Sequence, residues 1–149
     1  MAIVYLPDND HCVRYVPWAR LRKDEDDNVI GVLGAAFRLR DEEDYLSATW
    51  IEFFAGATHN DRVTASIQAI RASEIDVRPK SGFAVGCVSK IKQTCFDDPR
   101  RHRIRIIHEA EPDNPAHTAL RGWPKDNDDL LSLLAEDVWC DAVMNSAVP

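Results

Sequence analysis

Two histidines in the last third of the chain have the side chains best suited to chemistry. Arginine alternates with isoleucine along residues 101–108, which predicts a strand with His108 at its end on the apolar face. His117 falls at the third position of a short helix predicted to begin at Asn114-Pro115, where free N–H groups attract anions. A short loop separates the two elements, so the histidines are expected to converge on one cleft.

Imidazoles titrate near neutrality and can act as acids or bases. We therefore predict His108 and His117 as catalytic residues in phosphoryl or acyl chemistry, with Asn114 among the ligand-binding residues. The alternative for His108 is a core histidine that is hydrogen-bonded to a backbone carbonyl.

Arginines recur with a spacing of two in several segments that are predicted to be strands, as in Arg38 and Arg40. Such a pair projects from one face of its strand, and guanidinium groups suit bidentate contacts with phosphate or carboxylate. Arg14, Arg38 and Arg40 are therefore predicted to bind ligand. The alternative is a solvated face whose cations pair with acidic side chains.

Glu52 lies among aromatic residues in the segment YLSATWIEFF, an apolar setting for a carboxylate. Burial raises the pKa of a carboxyl group unless a cation pairs with it. Arg14 lies between Val13 and Tyr15 and is an equally misplaced cation, so an Arg14–Glu52 pair is predicted.

Several familiar sites are not encoded. The two nearby histidines are too few for a zinc site, and the four cysteines form no Cys-x-x-Cys pair. The chain also lacks a glycine-rich phosphate loop and a Gly-x-Ser-x-Gly elbow. The sequence predicts no metal and no cofactor.

Composition limits the class of protein. The chain has 149 residues, 45% of them hydrophobic and 29% charged, which suits one globular domain spanning residues 1–149. The formal net charge of −7 disfavours non-specific attraction to nucleic acid or to an anionic membrane. The first residues do not resemble a secretory signal, so we expect a cytoplasmic protein with free thiols and no membrane contact.

Residue patterns predict strands and helices in a mixed order. The predicted strands are 12–22, 29–40, 45–54, 83–95 and 101–109, the first three forming a meander. Helices are predicted at 61–75, from Asn114 to Gly122, and from Asp128 onward. The buried core is expected to include Ile104, Ile106, Leu130, Leu134 and Val138.

These elements predict an α+β fold in which a mainly antiparallel sheet of about five strands packs against two longer helices and one short helix. The expected function is binding of a phosphate-bearing ligand, a nucleotide or RNA, with histidine acid–base catalysis. The alternative is a protein–protein interaction module such as an antitoxin, immunity protein or complex subunit, because acidic loops suit a basic partner.

Overall fold

The computed structural model describes residues 2–149 and has an α+β fold. Its strands are β1 (His11–Pro17), β2 (Leu21–Lys23), β3 (Val29–Val32), β4 (Tyr45–Trp50), β5 (Ser81–Cys87), β6 (Arg105–His108), β7 (His117–Arg121) and β8 (Asp141–Met144). Its helices are α1 (His59–Arg71), α2 (Val88–Asp97) and α3 (Asp128–Asp137). The predicted fold class is confirmed.

The main sheet is antiparallel and has six strands in the order β6-β7-β4-β1-β5-β8. Strands β2 and β3 form a separate two-stranded ribbon. The predicted meander of the first three strands is therefore wrong. A 3₁₀ turn at Trp18–Arg20 divides the predicted strand 12–22, and its end, β2, pairs with β3 as expected. Its first part, β1, instead pairs with β5 along its whole length and with β4 at one end. Non-local pairing of this kind buries β1 in the middle of the sheet.

Each face of the main sheet has its own hydrophobic core. On the α1 face, Val13, Phe83 and Val85 pack under Ile67 and Ile70 of α1. On the opposite face, which we call the α3 face, the strands pack against α2 and α3. The predicted core is confirmed on the α3 face, where a single cluster contains Ile104, Ile106, Leu130, Leu134 and Val138.

Helix α1 begins two residues earlier than predicted. Thr58 is the N-cap: its hydroxyl accepts from the backbone N–H of Asp61, whose carboxylate accepts from the N–H of Thr58. This reciprocal capping box satisfies two backbone donors that a helix start leaves free. It places His59 at the first position of the helix.

The predicted strand 83–95 is wrong in its second half, where α2 begins at Val88. The β-branched residues of this segment favour a strand, but Val88, Ile91 and Cys95 lie at helical spacing and are all buried on the α3 face. Burial of these three side chains on one face stabilises a helix rather than a strand in this segment.

The predicted short helix from Asn114 to Gly122 is also wrong. Asn114 and Pro115 form a turn, in which the Asn114 side-chain oxygen accepts from the N–H of Ala116. Residues from His117 onward then form β7, which pairs with β4 on one side and with β6 on the other. Two ladders of backbone hydrogen bonds outweigh the local helix-start signal.

All four cysteines have free thiols. Within residues 2–149, no helix combines the length and the apolar character needed to cross a membrane.

Candidate functional site

A cleft of about 780 Å³ opens where β1 and β4 separate. The two strands pair only at Cys12 and Val13, opposite Trp50 and Thr49. Beyond that point β1 stays with β5, while β4 stays with β7. The divergence leaves backbone groups of β4 without a strand partner, and these groups need other donors.

Arg14 supplies those donors at the point of divergence. Its Nε donates to the carbonyl oxygen of Ala36 at 2.9 Å, and its Nη1 donates to that of Ser47 at 2.7 Å. No salt bridge to Arg14 exists in the described part of the chain. Burial lowers the pKa of Arg14 to about 10; nearby Glu43 opposes this shift and Arg40 adds to it. The cleft thus contains a half-buried cation whose hydrogen-bond partners among the described residues are carbonyl groups.

Arg38 and Arg40 line the same cleft, so all three arginines predicted to bind ligand come together. Neither lies on a strand: the predicted strand 29–40 ends at Val32, and a 3₁₀ turn at Gly34–Phe37 follows. Arg38 forms an exposed ion pair with Asp128 at 3.0 Å. The side chain of Arg40 is exposed and has no salt bridge among residues 2–149.

The rim of the cleft is acidic as well as basic. Asp41, Glu42 and Glu43 line it next to Arg40, and Asp76 lines it from another segment. The carboxylate of Glu43 accepts from the backbone N–H of Arg40 at 2.8 Å, which closes the loop on itself. The cleft therefore has a half-buried cation at its base and charged groups of both signs at its mouth.

Two hydroxyl residues of β4, Ser47 and Thr49, form one wall of the cleft. Behind them, Asn114 donates from Nδ2 to Thr49 Oγ1 at 3.0 Å, and His117 Nε2 lies 3.2 Å from Ser47 Oγ. Asn114 and His117 are buried and do not line the cleft themselves. Asn114 and His117, both predicted site residues, therefore contact the cleft only indirectly, through the hydroxyl groups of Thr49 and Ser47.

The hydrogen bonds of His117 restrict its protonation. Its Nδ1 lies 2.9 Å from the carbonyl oxygen of Glu109, so that nitrogen carries a proton. Its Nε2 also lies 3.1 Å from Glu111 Oε1. An unprotonated Nε2 accepts from the Ser47 hydroxyl, whereas a protonated Nε2 donates to Glu111. His117 Nε2 therefore lies within hydrogen-bond distance of both the Ser47 hydroxyl and the Glu111 carboxylate.

His108 lies on the other side of the sheet from His117. Its cross-strand partner is Thr118, and adjacent residues of a strand point to opposite faces. Its Nε2 lies 2.7 Å from the carbonyl oxygen of Pro115, and its ring packs on Trp50 and Phe53. The expected convergence of the two histidines is wrong, and a catalytic role for His108 stays a prediction without geometric support.

Glu52 pairs with His11 rather than with Arg14, so the predicted Arg14–Glu52 pair is wrong. Glu52 Oε2 lies 2.7 Å from His11 Nδ1, and Oε1 accepts from the backbone N–H of His11 at 2.7 Å. The imidazole of His59 lies beside that of His11, with ring centroids 4.7 Å apart. We call His11, Glu52 and His59 the His11 cluster.

Sequence reasoning missed most of the His11 cluster. Only Glu52 gave a signal, as a carboxylate in an apolar segment. His11 and His59 stand far from it in sequence, and no spacing rule links a strand start, a 3₁₀ turn and a helix start.

No protein-family model matches this chain, and no significant match was found among curated proteins or solved structures. Fold alone does not specify function, so the functional argument rests on the geometry of these sites.

Proposed function

We propose that this protein binds a small phosphate-bearing ligand in the cleft between β1 and β4, with a nucleotide as the expected class. The observation that carries the proposal is Arg14, a half-buried guanidinium with backbone carbonyls as its only partners among the described residues. Removing a cation from water is costly, and an anion in the cleft offsets that cost. We place this activity in the cytoplasm.

Cleft dimensions and side-chain chemistry agree with a ligand of that size. Small-molecule sites commonly measure about 300–1,000 Å³, a range that includes this cleft. Guanidinium groups bind phosphate through charge-assisted, often paired hydrogen bonds. Arg14 would bind the anionic group at the base, and Arg40 would reach it from the rim.

The acidic rim favours a nucleotide over a length of RNA. A polynucleotide needs a track of cations for its phosphates, whereas this chain has a net charge of −7 and carboxylates at the cleft mouth. Carboxylates accept hydrogen bonds from hydroxyl groups. Asp41, Glu42 and Glu43 suit the ribose hydroxyls of a nucleotide whose phosphate lies deeper.

Acid–base catalysis is a separate part of the proposal and rests on His117. A neutral imidazole whose Nε2 lies 3.2 Å from the Ser47 hydroxyl would act as a general base toward it. If bound ligand is turned over, His117→Gln should abolish turnover while leaving ligand affinity near wild type, because His117 does not line the cleft.

Calorimetric titration with nucleoside monophosphates tests ligand binding. Arg40→Gln should weaken binding about ten- to a hundredfold, since a hydrogen bond to a charged group contributes roughly 1.5–3 kcal/mol. Arg100→Gln is the matched control: it removes one exposed arginine outside the cleft and changes the net charge equally. Equal losses in the two variants, or no binding by wild type at millimolar nucleotide, would overturn the proposal. Preference for single-stranded RNA over monophosphates would overturn the nucleotide assignment.

The second candidate function is a protein-interaction module. It is favoured by the exposed acidic segment Asp24–Asp27 and by the binding of His108 and His117 to backbone carbonyls, which gives both histidines a structural role. Acidic surfaces attract basic partners. This function would be adopted if the nucleotide titrations are negative, and binding of a basic protein should then weaken steeply with added salt.

A further inference from the structure

The His11 cluster brings three metal-binding side chains together from distant parts of the chain. His11 begins β1, Glu52 lies in a 3₁₀ turn after β4, and His59 is the first residue of α1. One ligand atom from each lies within 4.8 Å of the other two. Among residues 2–149, this is the one group of three or more His, Cys, Asp or Glu side chains whose ligand atoms lie close enough to bind the same ion.

The carboxylate of the cluster is held in place before any ligand binds. Glu52 Oε1 accepts from the backbone N–H of His11, which fixes the carboxylate against β1. Its Oε2 then faces the His11 imidazole at 2.7 Å. Support of this kind orients a metal ligand and limits the conformational entropy lost on binding.

We propose that His11, Glu52 and His59 bind a divalent transition-metal ion, with zinc as the expected species. Two imidazole nitrogens and one carboxylate oxygen suit zinc and its neighbours, whereas magnesium and calcium prefer oxygen ligands alone. Adjacent ligands of a tetrahedral zinc ion lie about 3.4 Å apart, given bonds of about 2.0–2.1 Å. To reach that spacing, the 2.7 Å contact between His11 Nδ1 and Glu52 Oε2 lengthens, and the exposed His59 side chain rotates toward the pair.

The ion takes the place of the hydrogen bond between His11 and Glu52. The proton now shared by Nδ1 and Oε2 moves to the other imidazole nitrogen or to solvent, because a ligating nitrogen must offer its lone pair. No redox change is involved. Binding therefore competes with protons and weakens as the pH falls.

The site keeps an open coordination position. The side chains of His11 and Glu52 are 30% and 19% exposed, and His59 is exposed. Structural zinc sites have four protein ligands, whereas sites with three keep a position for water or substrate. Cys87 lies directly across from His11 on β5, but its thiol contacts the Asp8 carbonyl and Ser89 instead. Water therefore completes the coordination.

Metal titration of the chelator-treated protein tests the site. We expect wild type to bind a single zinc ion per chain by calorimetry, to melt at a higher temperature with zinc, and to give visible absorption with cobalt. His59→Ala should abolish all three effects without unfolding the protein, because His59 is exposed and Thr58 caps the helix. Glu52→Gln should also abolish zinc binding.

His102→Asn is the matched control. It removes one partly buried histidine near Asp98 and Asn127, away from the cluster, and should leave metal binding unchanged. Absence of zinc and cobalt binding by folded wild type would overturn the proposal, as would full binding by His59→Ala. Nucleotide titration of His59→Ala separates this site from the cleft, because the variant should bind nucleotide as wild type does.

Discussion

Arg14 donates hydrogen bonds to two carbonyl groups at the point where the sheet opens into the cleft. The sequence identified it as a cation out of place in an apolar strand, which was the useful signal. Its partners were not predictable, because they depend on where β1 leaves β4 and on the 3₁₀ turn that passes nearby. The composition of a single strand does not encode these long-range positions.

For Glu52, as for Arg14, the sequence indicated that the charged group needs a partner but did not identify the partner. A carboxylate among aromatic residues needs a polar partner, and His11 is that partner. Arg14 was the expected one because it was an equally misplaced cation in another predicted strand. Side-chain parity explains the difference: residues 11 and 14 of one strand project to opposite faces.

The Glu109–Arg121 pair predicts a residue-scale dependence of stability on pH. Arg121 binds Glu109 through two hydrogen bonds of 2.7 Å, and these hold the pKa of the Glu109 carboxyl below its usual value of 4.5. A depressed pKa in the folded state contributes stability above pH 4.5, which is lost as the pH falls through the folded-state pKa. Glu109→Gln should therefore show a smaller loss of stability between pH 7 and strongly acidic solution.

Urea unfolding at several pH values measures this effect. Glu136→Gln is the control, because its pair with Arg22 is longer, at 3.4 Å, and more exposed. An acid sensitivity in Glu109→Gln equal to that of wild type would contradict the assigned role of the pair.

At the scale of elements, a helix with a strong apolar periodicity could be predicted from the sequence. The choice between helix and strand could not be predicted where pairing with other strands overrides a local signal. Helix α3 and its apolar stripe follow directly from Leu130, Leu134 and Val138. Strand β7 does not follow from its own sequence, because Asn114-Pro115 has every local mark of a helix start. Pairing with both β4 and β6 decides its conformation, and β4 is distant in the chain.

Close packing of Trp139 on β5 gives an element-scale prediction. A Cβ atom added at Gly86 would lie 2.9 Å from Trp139 Cδ2, and the indole is fully buried. Gly86→Ala should therefore displace the indole and lower the free energy of unfolding by about 1–3 kcal/mol.

Gly31→Ala provides the comparison for that variant. The nearest atom to a Cβ at Gly31 is Arg22 Cβ at 3.9 Å, an ordinary contact, so little destabilisation is expected. Chemical denaturation of both variants checks the difference. Equal stability of the two would show that Trp139 does not press on β5 as described.

At the scale of the whole molecule, the sheet separates two cores and leaves the cysteines in different environments. Cys12 and Cys95 are completely buried, Cys87 is partly buried, and Cys140 is exposed. The chain composition favoured free thiols, and the structure has them. Their individual accessibility depends on packing and was not predictable from spacing.

Thiol labelling of the native protein should distinguish these environments. Cys140 and Cys87 should react with a maleimide, whereas Cys12 and Cys95 should react only after unfolding. Burial raises the pKa of Cys95 to about 12 and raises that of Cys12 further, so neither forms the reactive thiolate readily. Mass spectrometry counts the labels. Rapid native labelling of Cys95 would contradict the packing of α2 on the sheet.

The position of a bound nucleotide is the most direct test of the central claim that the β1–β4 cleft binds an anionic ligand. An NMR titration with a nucleoside monophosphate, recorded on backbone amides and arginine Nε–H groups, locates the binding site. The account predicts that the largest shifts occur at Arg14 Nε–H and at the amides of Arg40, Ser47 and Thr49. Saturable shifts confined to other surfaces, or none at millimolar ligand, would contradict it.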